Sequence, residues 1–269
     1  MPNRKQVRDP GIGVKHAAVK SRHQQILRLV RDHGFIAIGT LAERFDVTPQ
    51  TIRRDINILN RQGLLQRHHG GAGPILSTEN VDYMERQVLC LHEKQVIAAL
   101  CAKHIQPRSS LFINIGTTTE EVAKALCGHE RLRVITNNLN VAKILSGNSQ
   151  MEVIVSGGMV RHKDCGIVGE AAVDFIRQFK VDCGIIGISG IDMDGTLLDF
   201  DYREVRAARA IIENSRKVYL VTDHTKFGRN AMVRLGSIEE IDALFTDKRP
   251  PEELVEIMRR AGVALHVAQ

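Results

Sequence analysis

Apolar residues recur at helical spacing through the first quarter of the chain, and this pattern predicts a group of short helices. The first is expected to begin at Ser21 and to stop at Gly34, with apolar residues on one side up to Val30. The second is expected to begin at Thr40, because Thr40 and Glu43 have the spacing of a capping box. The amino-terminal quarter is therefore expected to be a small helical unit.

The third helix carries the clearest boundary signals. Asp46 and Val47 suit a tight turn after the second helix. Thr48 can cap the third helix, and Pro49 fits its first position, where a backbone N–H has no helical partner. Gly63 can close the helix at its far end. Helix, tight turn and helix together indicate a helix-turn-helix.

The third helix also has two distinct faces. At about 100° per residue, Ile52, Ile56 and Leu59 fall on one side and are expected to pack into a core. The opposite side suits DNA, because amide side chains can pair with adenine while arginines bond guanine edges or phosphates. The DNA-contacting candidates are Thr48, Gln50, Thr51, Arg53, Arg54, Asn57 and Arg61.

A basic hairpin is expected to follow the third helix. Leu64 and Leu65 predict a strand, and residues 66–70 predict a tight turn that carries Arg67 and His68 as candidates for phosphate or minor-groove contact. His68 and His69 as metal ligands are a weaker alternative, because adjacent histidines point in different directions and no partner at zinc-site spacing lies nearby. We therefore expect a winged helix-turn-helix over residues 21–73 and no metal site.

The charge of the chain is concentrated where this unit lies. Of the 37 Lys and Arg and 31 Asp and Glu, thirteen basic and five acidic residues lie within residues 1–73, which leaves 24 basic and 26 acidic residues beyond them. A protein that binds DNA needs such a basic surface to neutralise the phosphates of the DNA backbone. The alternative, a helical hairpin with a merely solvated charged face, explains the polar stripe but not its agreement with the caps, the turn and the basic wing.

Composition further limits the class of protein. The chain has 269 residues, 43% of them hydrophobic, which is enough for two domains. No segment has the pattern of a signal peptide or the length of a membrane span, so we expect a cytoplasmic protein without membrane contact. Residues 1–20 are expected to be a basic, disordered arm. The cysteines are odd in number, lack CxxC spacing and are expected to be reduced; they are Cys90, Cys101, Cys127, Cys165 and Cys183.

The remainder of the chain alternates between strand and helix patterns. Residues 74–81 (PILSTENV) are expected to be a linker, and a single helix is expected from Asp82 to His104. From Ser110 onward, unbroken apolar strands such as SLFINI, RVIT, VDCGIIGISG and KVYLVTD are separated by helical patterns. This order predicts an α/β domain over residues 82–269 with a mostly parallel sheet.

Ligands of such sheets bind at the carboxyl ends of the strands. Gly116, Thr117, Thr118 and Thr119 follow one predicted strand and offer backbone amides, hydroxyls and a helix N-terminus, which suit a phosphate. Lys226 follows a later strand and can supply a cation. From the pattern alone, the threonines could instead be an ordinary helix cap and Lys226 a solvated surface lysine.

Several segments resemble the DeoR family of bacterial transcription regulators. They are TPQTIRRDINILNRQGLLQRHHGGA, IGTTTEEVA, VITNNLNVA, GGMVR, GISGIDMDGTLLDFDYREVR and DHTKFGRNAM, in order and spacing, and they cover nearly everything from Ser21 onward. The resemblance implies a repressor whose second domain is a sugar-phosphate sensor similar to ribose-5-phosphate isomerase. It also implies an effector, glycerol 3-phosphate for the most similar members and other sugar phosphates elsewhere in the family.

The resemblance also assigns roles within the sensor. Gly116 to Thr119 correspond to the phosphate loop of the isomerases and Asp223 to Lys226 to a second phosphate-binding segment. The candidates for the hydroxyl end of the effector are Asn137, Asn138, Arg203 and Glu204. The expected partners are double-stranded operator DNA and further copies of the chain, as a dimer or tetramer, because operators are repeated.

A sugar-phosphate isomerase is the alternative function. Such enzymes carry two aspartates in a DGADE-like strand end, since moving a proton between carbons requires a titratable group within reach. The matching residues here, 186–190, read Ile-Gly-Ile-Ser-Gly and hold no carboxylate. Glu204 alone can hydrogen-bond a hydroxyl. We therefore expect an effector-binding domain without catalysis and without a cofactor.

Overall fold

The computed structural model describes residues 21–30, 34, 36–61, 64–68, 70–73 and 82–268. The chain divides into two compact units, Met1–Leu76 and Ser77–Gln269. The expected basic arm (1–20), the linker (74–81), the helix end at Gly63 and the histidine at 69 lie outside the described residues. No helix in the described ranges is both long enough and apolar enough to cross a membrane.

In its described residues, the first unit combines three helices with a small antiparallel sheet. Its helices are α1 (residues 21–30), α2 (Ile38–Phe45) and α3 (Pro49–Arg61), and its strands are β1 (Ile36–Ala37), β2 (Gln66–His68) and β3 (Gly71–Gly73), in the order β1-β3-β2. The strands β2 and β3 form the wing. Its apolar core contains Ile26, Leu41, Ile52, Ile56, Leu59, Leu65 and Ala72.

Two boundaries of this unit differ from the sequence-based predictions. The second helix begins at Ile38 rather than Thr40, and its N-cap residue, Ala37, makes no side-chain cap. Instead the amide of Ile38 donates to the carbonyl oxygen of Gly70 in the wing turn at 2.8 Å, so tertiary pairing replaces the expected capping box. The wing strand begins at Gln66 rather than at Leu64, and Leu65, which precedes it, is buried in the core.

A buried carboxylate connects α1 to α3. Asp55, only 4% exposed, accepts from Arg22 Nε at 2.6 Å and lies 2.9 Å from His23 Nε2. Buried carboxylates of this kind are stable only when paired. Asp55 therefore fixes the rotation of α3 that presents its polar face to solvent.

The second unit is built on a seven-stranded parallel sheet. The strand order is β15-β14-β12-β9-β4-β5-β6, and every neighbouring pair is parallel. The strands are β4 (Ser110–Ile113), β5 (Arg133–Thr136), β6 (Glu152–Val155), β9 (Val181–Ile186), β12 (Ser215–Val221), β14 (Ala243–Thr246) and β15 (Ala264–Val267). This confirms the predicted α/β class, although β14 and β15 were not predicted.

Helices and two small antiparallel sheets complete this unit. The helices are α4 (Tyr83–Val88), α5 (Leu91–Ala102), α6 (Thr117–Leu126), α7 (Leu139–Leu145), α8 (Glu170–Ile176), α9 (Tyr202–Glu213) and α10 (Glu252–Ala261), with 3-10 turns at His224–Lys226 and Ile238–Glu240. One small sheet pairs β7 (Met159–Val160) with β8 (Ile167–Val168). The other orders β10 (Gly190–Ile191), β11 (Thr196–Asp199) and β13 (Val233–Ser237).

The single helix predicted from Asp82 to His104 is wrong. The chain breaks at Cys90, which has a φ of 52°, and continues as two helices, α4 and α5. Helical spacing would place Met84 and Val88 on an apolar side of that helix, yet they are 67% and 72% exposed, whereas Lys94 is only 3% exposed. Because the backbone of Cys90 is left-handed and interrupts the helix, one helical period cannot describe both α4 and α5.

The strand order places a crevice between β4 and β9. Successive strands run outward from β4 to β6 on one side and from β9 to β15 on the other, so the direction of winding reverses at this point. In open α/β sheets the crevice beyond the carboxyl ends of strands at such a reversal binds ligands. The segments that follow β4 and β9 are residues 114–116 and 187–189.

Asp55→Ala is expected to lower the free energy of unfolding of the first unit by about 3 kcal/mol, because Arg22 would keep a largely buried charge without its partner. The matched control is Glu43→Ala, which removes one exposed negative charge from the same unit. Urea unfolding monitored by circular dichroism measures both. Equal stability of the two variants would show that Asp55 does not hold α1 on α3.

Candidate functional site

The candidate DNA-reading residues lie on the solvent side of α3. Thr48 caps the helix, since its Oγ1 accepts from the amide of Thr51 at 3.2 Å, and Pro49 occupies the first helical position as the sequence predicts. Thr51 and Asn57 are partly exposed, and the exposed residues of this face are Thr48, Gln50, Arg53, Arg54 and Arg61. The helix thus presents donors and cations away from the core, as base and phosphate contact requires.

Hydrogen bonds join α3 to the wing. Arg67 Nη1 donates to Asn57 Oδ1 at 2.8 Å, and the amide of Arg67 donates to Asn60 Oδ1 at 2.9 Å. His68 lies in β2, and its side chain is outside the described part of the chain. Asn60 is a positioning residue that the sequence analysis missed, although its place three residues after Asn57 was a usable signal. The reading helix and the wing form one connected surface.

A second candidate site is a pocket at the β4–β9 crevice. The loops after the parallel strands β4, β9 and β12 contribute to it. It is completed by the end of β11, the start of α9 and the turn between α4 and α5. Its lining residues are Arg86, Leu89, Lys94, Ile115, Gly116, Thr117, Thr118, Gly187, Ile188, Ser189, Asp199, Glu204, Lys226 and Arg229. Four of these side chains are cationic and two are carboxylic.

The predicted phosphate residues form one side of this pocket. Gly116 precedes α6 with a φ of 149°, a conformation that favours glycine, and a Cβ there would lie 3.2 Å from Thr119 Oγ1. The first amides of α6, those of Thr117 and Thr118 among them, have no acceptors within the helix, so they suit an anion. Gly116, Thr117 and Thr118 all line the pocket.

Lys226 lies at the same pocket. Burial lowers the pKa of its ammonium to about 8, although Asp223 acts in the opposite direction. Among the described residues, Lys226 forms no ion pair and no side-chain hydrogen bond. Asp223 instead accepts from the amide of Thr225 at 3.0 Å. A buried ammonium in this state gains most from an anionic ligand.

Three further cations, which were not predicted from the sequence, line the pocket. Lys94 is buried, and its Nζ donates to the carbonyl oxygens of Arg86 and, at 2.7 Å, Leu89; burial lowers its pKa. Arg86 lies 3.5 Å from a carboxylate oxygen of Asp164. Arg229 donates to the carbonyl oxygen of Ser189 at 3.1 Å. Only Arg229 carried a usable sequence signal, since it stands three residues after Lys226.

Two carboxyl groups also line the pocket. Glu204 Oε2 accepts from Arg161 Nη2 at 2.6 Å, and burial together with the nearby Asp199 raises the pKa of Glu204 to about 7. Asp199 Oδ1 accepts from Ser189 Oγ at 3.1 Å, and burial raises the pKa of Asp199. Asp199 and Arg161 were both missed, because neither directly follows a strand of the parallel sheet.

The structure places four predicted effector residues away from the pocket lining. Thr119 is fully buried, and its hydroxyl donates to the carbonyl oxygens of Asn114 and Gly116. Asn137 donates to the carbonyl oxygen of Ile167 at 3.2 Å. These contacts support the loop rather than reach into the pocket.

The other two such residues have equally local contacts. Asn138 caps α7 through its Oδ1 and donates to Glu120 Oε1 at 3.2 Å. The side chain of Arg203 is 51% exposed and lies 3.5 Å from Asp201. In the described ranges no three potential metal-ligating side chains come together.

Comparison with known proteins identifies both units. Residues 22–78 match the DeoR-like helix-turn-helix domain, and residues 90–248 match the DeoR C terminal sensor domain. The chain is 52% identical to the glycerol-3-phosphate regulon repressor of Escherichia coli (strain K12) over 246 residues, which are 91% of this chain and 98% of that protein. The repressor of the same description from Haemophilus influenzae is 51% identical over 244 residues, 91% and 95% of the two chains.

A solved structure gives a more distant likeness. Ribose 5-phosphate isomerase A from Neisseria gonorrhoeae is 12% identical, covers 50% of this chain and 52% of its own, and superposes with a TM-score of 0.38. That likeness says nothing about the chemistry of the pocket. The two family matches and the relatives that extend over nearly the whole chain show that this protein belongs to the DeoR family of transcription regulators.

Proposed function

We propose that the chain is a DNA-binding repressor of genes of glycerol 3-phosphate metabolism and that glycerol 3-phosphate releases it from operator DNA. The relatives described above carry the name of such a repressor. The exposed polar face of α3 and the basic wing provide the surface for double-stranded DNA. The pocket of the second unit provides the place for the effector.

The observation that carries the effector proposal is the charge balance of the pocket. Four cationic side chains line the pocket beside the N-terminus of α6, whereas two carboxyl groups line it and the buried Asp223 adds a third near Lys226; the cations are Lys94, Lys226, Arg86 and Arg229. A phosphate dianion balances this excess and can accept from helix amides at the same time. Other sugar phosphates share that group, so the phosphate alone does not select glycerol 3-phosphate.

The mechanism of release follows from linkage. The effector can weaken operator binding only if it binds the DNA-free protein more tightly than the DNA-bound protein. By reciprocity, operator DNA must then weaken effector binding by the same factor. Repeated operator half-sites fit a dimer or tetramer of this chain, acting in the cytoplasm.

Arg54→Ala is expected to weaken specific operator binding by about 1 to 3 kcal/mol, because Arg54 lies on the exposed face of α3. Arg67→Ala is expected to weaken binding to all DNA sequences similarly. It should also reduce by about one the slope of log affinity against log salt concentration. Gel-shift titrations at several salt concentrations, with operator and unrelated DNA, measure both. The control is Glu43→Ala, and operator affinity unchanged in both arginine variants would refute the proposed surface.

The contact between Asn57 and Arg67 refines this test. If Asn57 acts mainly by holding Arg67, the double variant Asn57→Ala/Arg67→Ala should lose less operator affinity than the sum of the losses in Asn57→Ala and Arg67→Ala. Strict additivity would mean that the two side chains contact DNA independently.

Lys226→Ala is expected to raise the dissociation constant of glycerol 3-phosphate by about tenfold or more, because a charge-assisted hydrogen bond to the phosphate is lost. Operator affinity without effector should remain near the wild-type value. The measurement is operator binding against effector concentration, with calorimetry of effector binding alone. Lys124→Ala is the matched control, since Lys124 is 57% exposed, pairs with Glu121 and does not line the pocket. Identical release curves for the two variants would exclude Lys226 as an effector ligand.

A sugar-phosphate isomerase is the second candidate, and one observation favours it. Glu204, with a pKa raised to about 7, lies at a pocket that also holds Asp199, and a carboxyl group with such a pKa can move protons at neutral pH. Against it, residues 186–190 hold no carboxylate and the relatives carry the names of repressors.

We expect the purified protein neither to isomerise ribose 5-phosphate nor to deaminate glucosamine 6-phosphate. Coupled assays against a heat-denatured sample measure both activities. Glu204→Gln serves as the internal check, because turnover that this substitution abolishes would establish the enzyme and overturn the expectation.

A further inference from the structure

The two carboxyl groups that line the pocket, those of Asp199 and Glu204, have unused hydrogen-bond acceptors. Asp199 Oδ1 accepts from Ser189 Oγ at 3.1 Å and from the amide of Phe200 at 2.7 Å, and Glu204 Oε2 accepts from Arg161 at 2.6 Å. Within the described ranges, the other oxygens, Asp199 Oδ2 and Glu204 Oε1, accept no hydrogen bond. Each carboxyl group is therefore held by the protein through one oxygen while the second oxygen remains available.

The protein also holds these groups firmly in place. Arg161, with a side chain only 8% exposed, donates to Glu204, to Asp201 Oδ2 at 2.7 Å and to both carboxylate oxygens of Asp164. Its guanidinium thus fixes the start of α9 relative to the β7–β8 hairpin. Groups held by such networks lose little freedom when a ligand binds, so their geometry can select among ligands.

We propose that Asp199 and Glu204 select effectors that carry a hydroxyl rather than a carbonyl on the carbon next to the phosphorylated carbon. This inference rests on the proposed function, since the phosphate must bind beside the cations of the same pocket. A carboxylate oxygen accepts hydrogen bonds and donates none. A hydroxyl supplies the missing donor, whereas a carbonyl oxygen places a second acceptor against the carboxylate and leaves both groups unpaired.

Two three-carbon phosphates differ in only this feature. Glycerol 3-phosphate carries hydroxyls on both free carbons, which matches the two available oxygens in number. Dihydroxyacetone phosphate has the same phosphate and the same terminal hydroxyl but a carbonyl at the middle carbon. Sites that hydrogen-bond a substrate hydroxyl reject analogues without it strongly, because the buried polar groups of the site remain unpaired.

The test is calorimetric titration of the full chain with glycerol 3-phosphate, dihydroxyacetone phosphate and inorganic phosphate at pH 8, above the raised pKa of Glu204. Burial also raises the pKa of Asp199, so the role of a charged acceptor is tested first at Glu204. The protonation of Lys226 affects both organic phosphates alike and cancels in the ratio of their dissociation constants. We expect the wild type to bind glycerol 3-phosphate about tenfold or more tightly than dihydroxyacetone phosphate.

The variants Glu204→Gln and Asp199→Asn should each reduce this ratio, because an amide keeps one acceptor and gains an N–H donor that a carbonyl can accept. Glu213→Gln is the matched control on the same helix, since Glu213 is 46% exposed and pairs with Arg209 outside the pocket. It should leave the ratio unchanged. If loss of the Arg161 contact unfolds Glu204→Gln, Asp199→Asn carries the test.

The outcomes separate the two proposals. Equal dissociation constants for the two ligands in the wild type, or a ratio unchanged in the pocket variants that fold, would overturn the hydroxyl selection while leaving the phosphate pocket intact. If neither organic phosphate nor inorganic phosphate binds, the proposed effector function fails, and the selection with it.

Discussion

The sensor unit depends on keeping four cationic side chains at a pocket that only two carboxyl groups line. Burial lowers the pKa of Lys226 to about 8 and also lowers that of Lys94, so each ammonium is less stable there than in water. Lys94 recovers part of this loss by donating to the carbonyl oxygens of Arg86 and Leu89. Lys226 is stabilised in part by the charge of Asp223 but makes no side-chain hydrogen bond among the described residues, and the proposed effector phosphate would supply one. Because the charge of Lys226 is costly to bury without a partner, binding an anion beside it would be favourable.

The parallel sheet determines where this charge is placed. Because the order of strands reverses between β4 and β9, their carboxyl ends leave a crevice that helices do not fill. Gly116 brings the backbone of the following helix to this crevice, and Lys226 reaches it from the loop after β12. The sequence predicted both residues, because the rule that ligands lie beyond strand ends requires only the order of elements and no knowledge of packing.

The residues that the sequence did not predict depend on packing. Lys94 carried no sequence signal of burial, yet it is 3% exposed and lines the pocket from α5, which begins after the turn at Cys90. Asp199 ends a strand of a small antiparallel sheet that had no clear alternation in sequence. In the first unit, the helix start at Thr48 and Pro49 was predicted from local chemistry, while the start at Ile38 was not, because it rests on a hydrogen bond to Gly70, which is distant in the sequence.

The helix α4 connects the chemistry of the pocket with the chain that leads to the DNA-reading unit. It is the first described helix after residues 74–81, and it contributes Arg86 to the pocket. Tyr83 anchors it to α6, since its hydroxyl donates to Glu120 Oε2 at 2.9 Å, yet none of its residues is buried. A segment held by polar contacts rather than by apolar packing responds to changes in charge. If the pocket binds the proposed phosphate, Arg86 would bring the charge of that ligand to the helix that follows residues 74–81 in the chain.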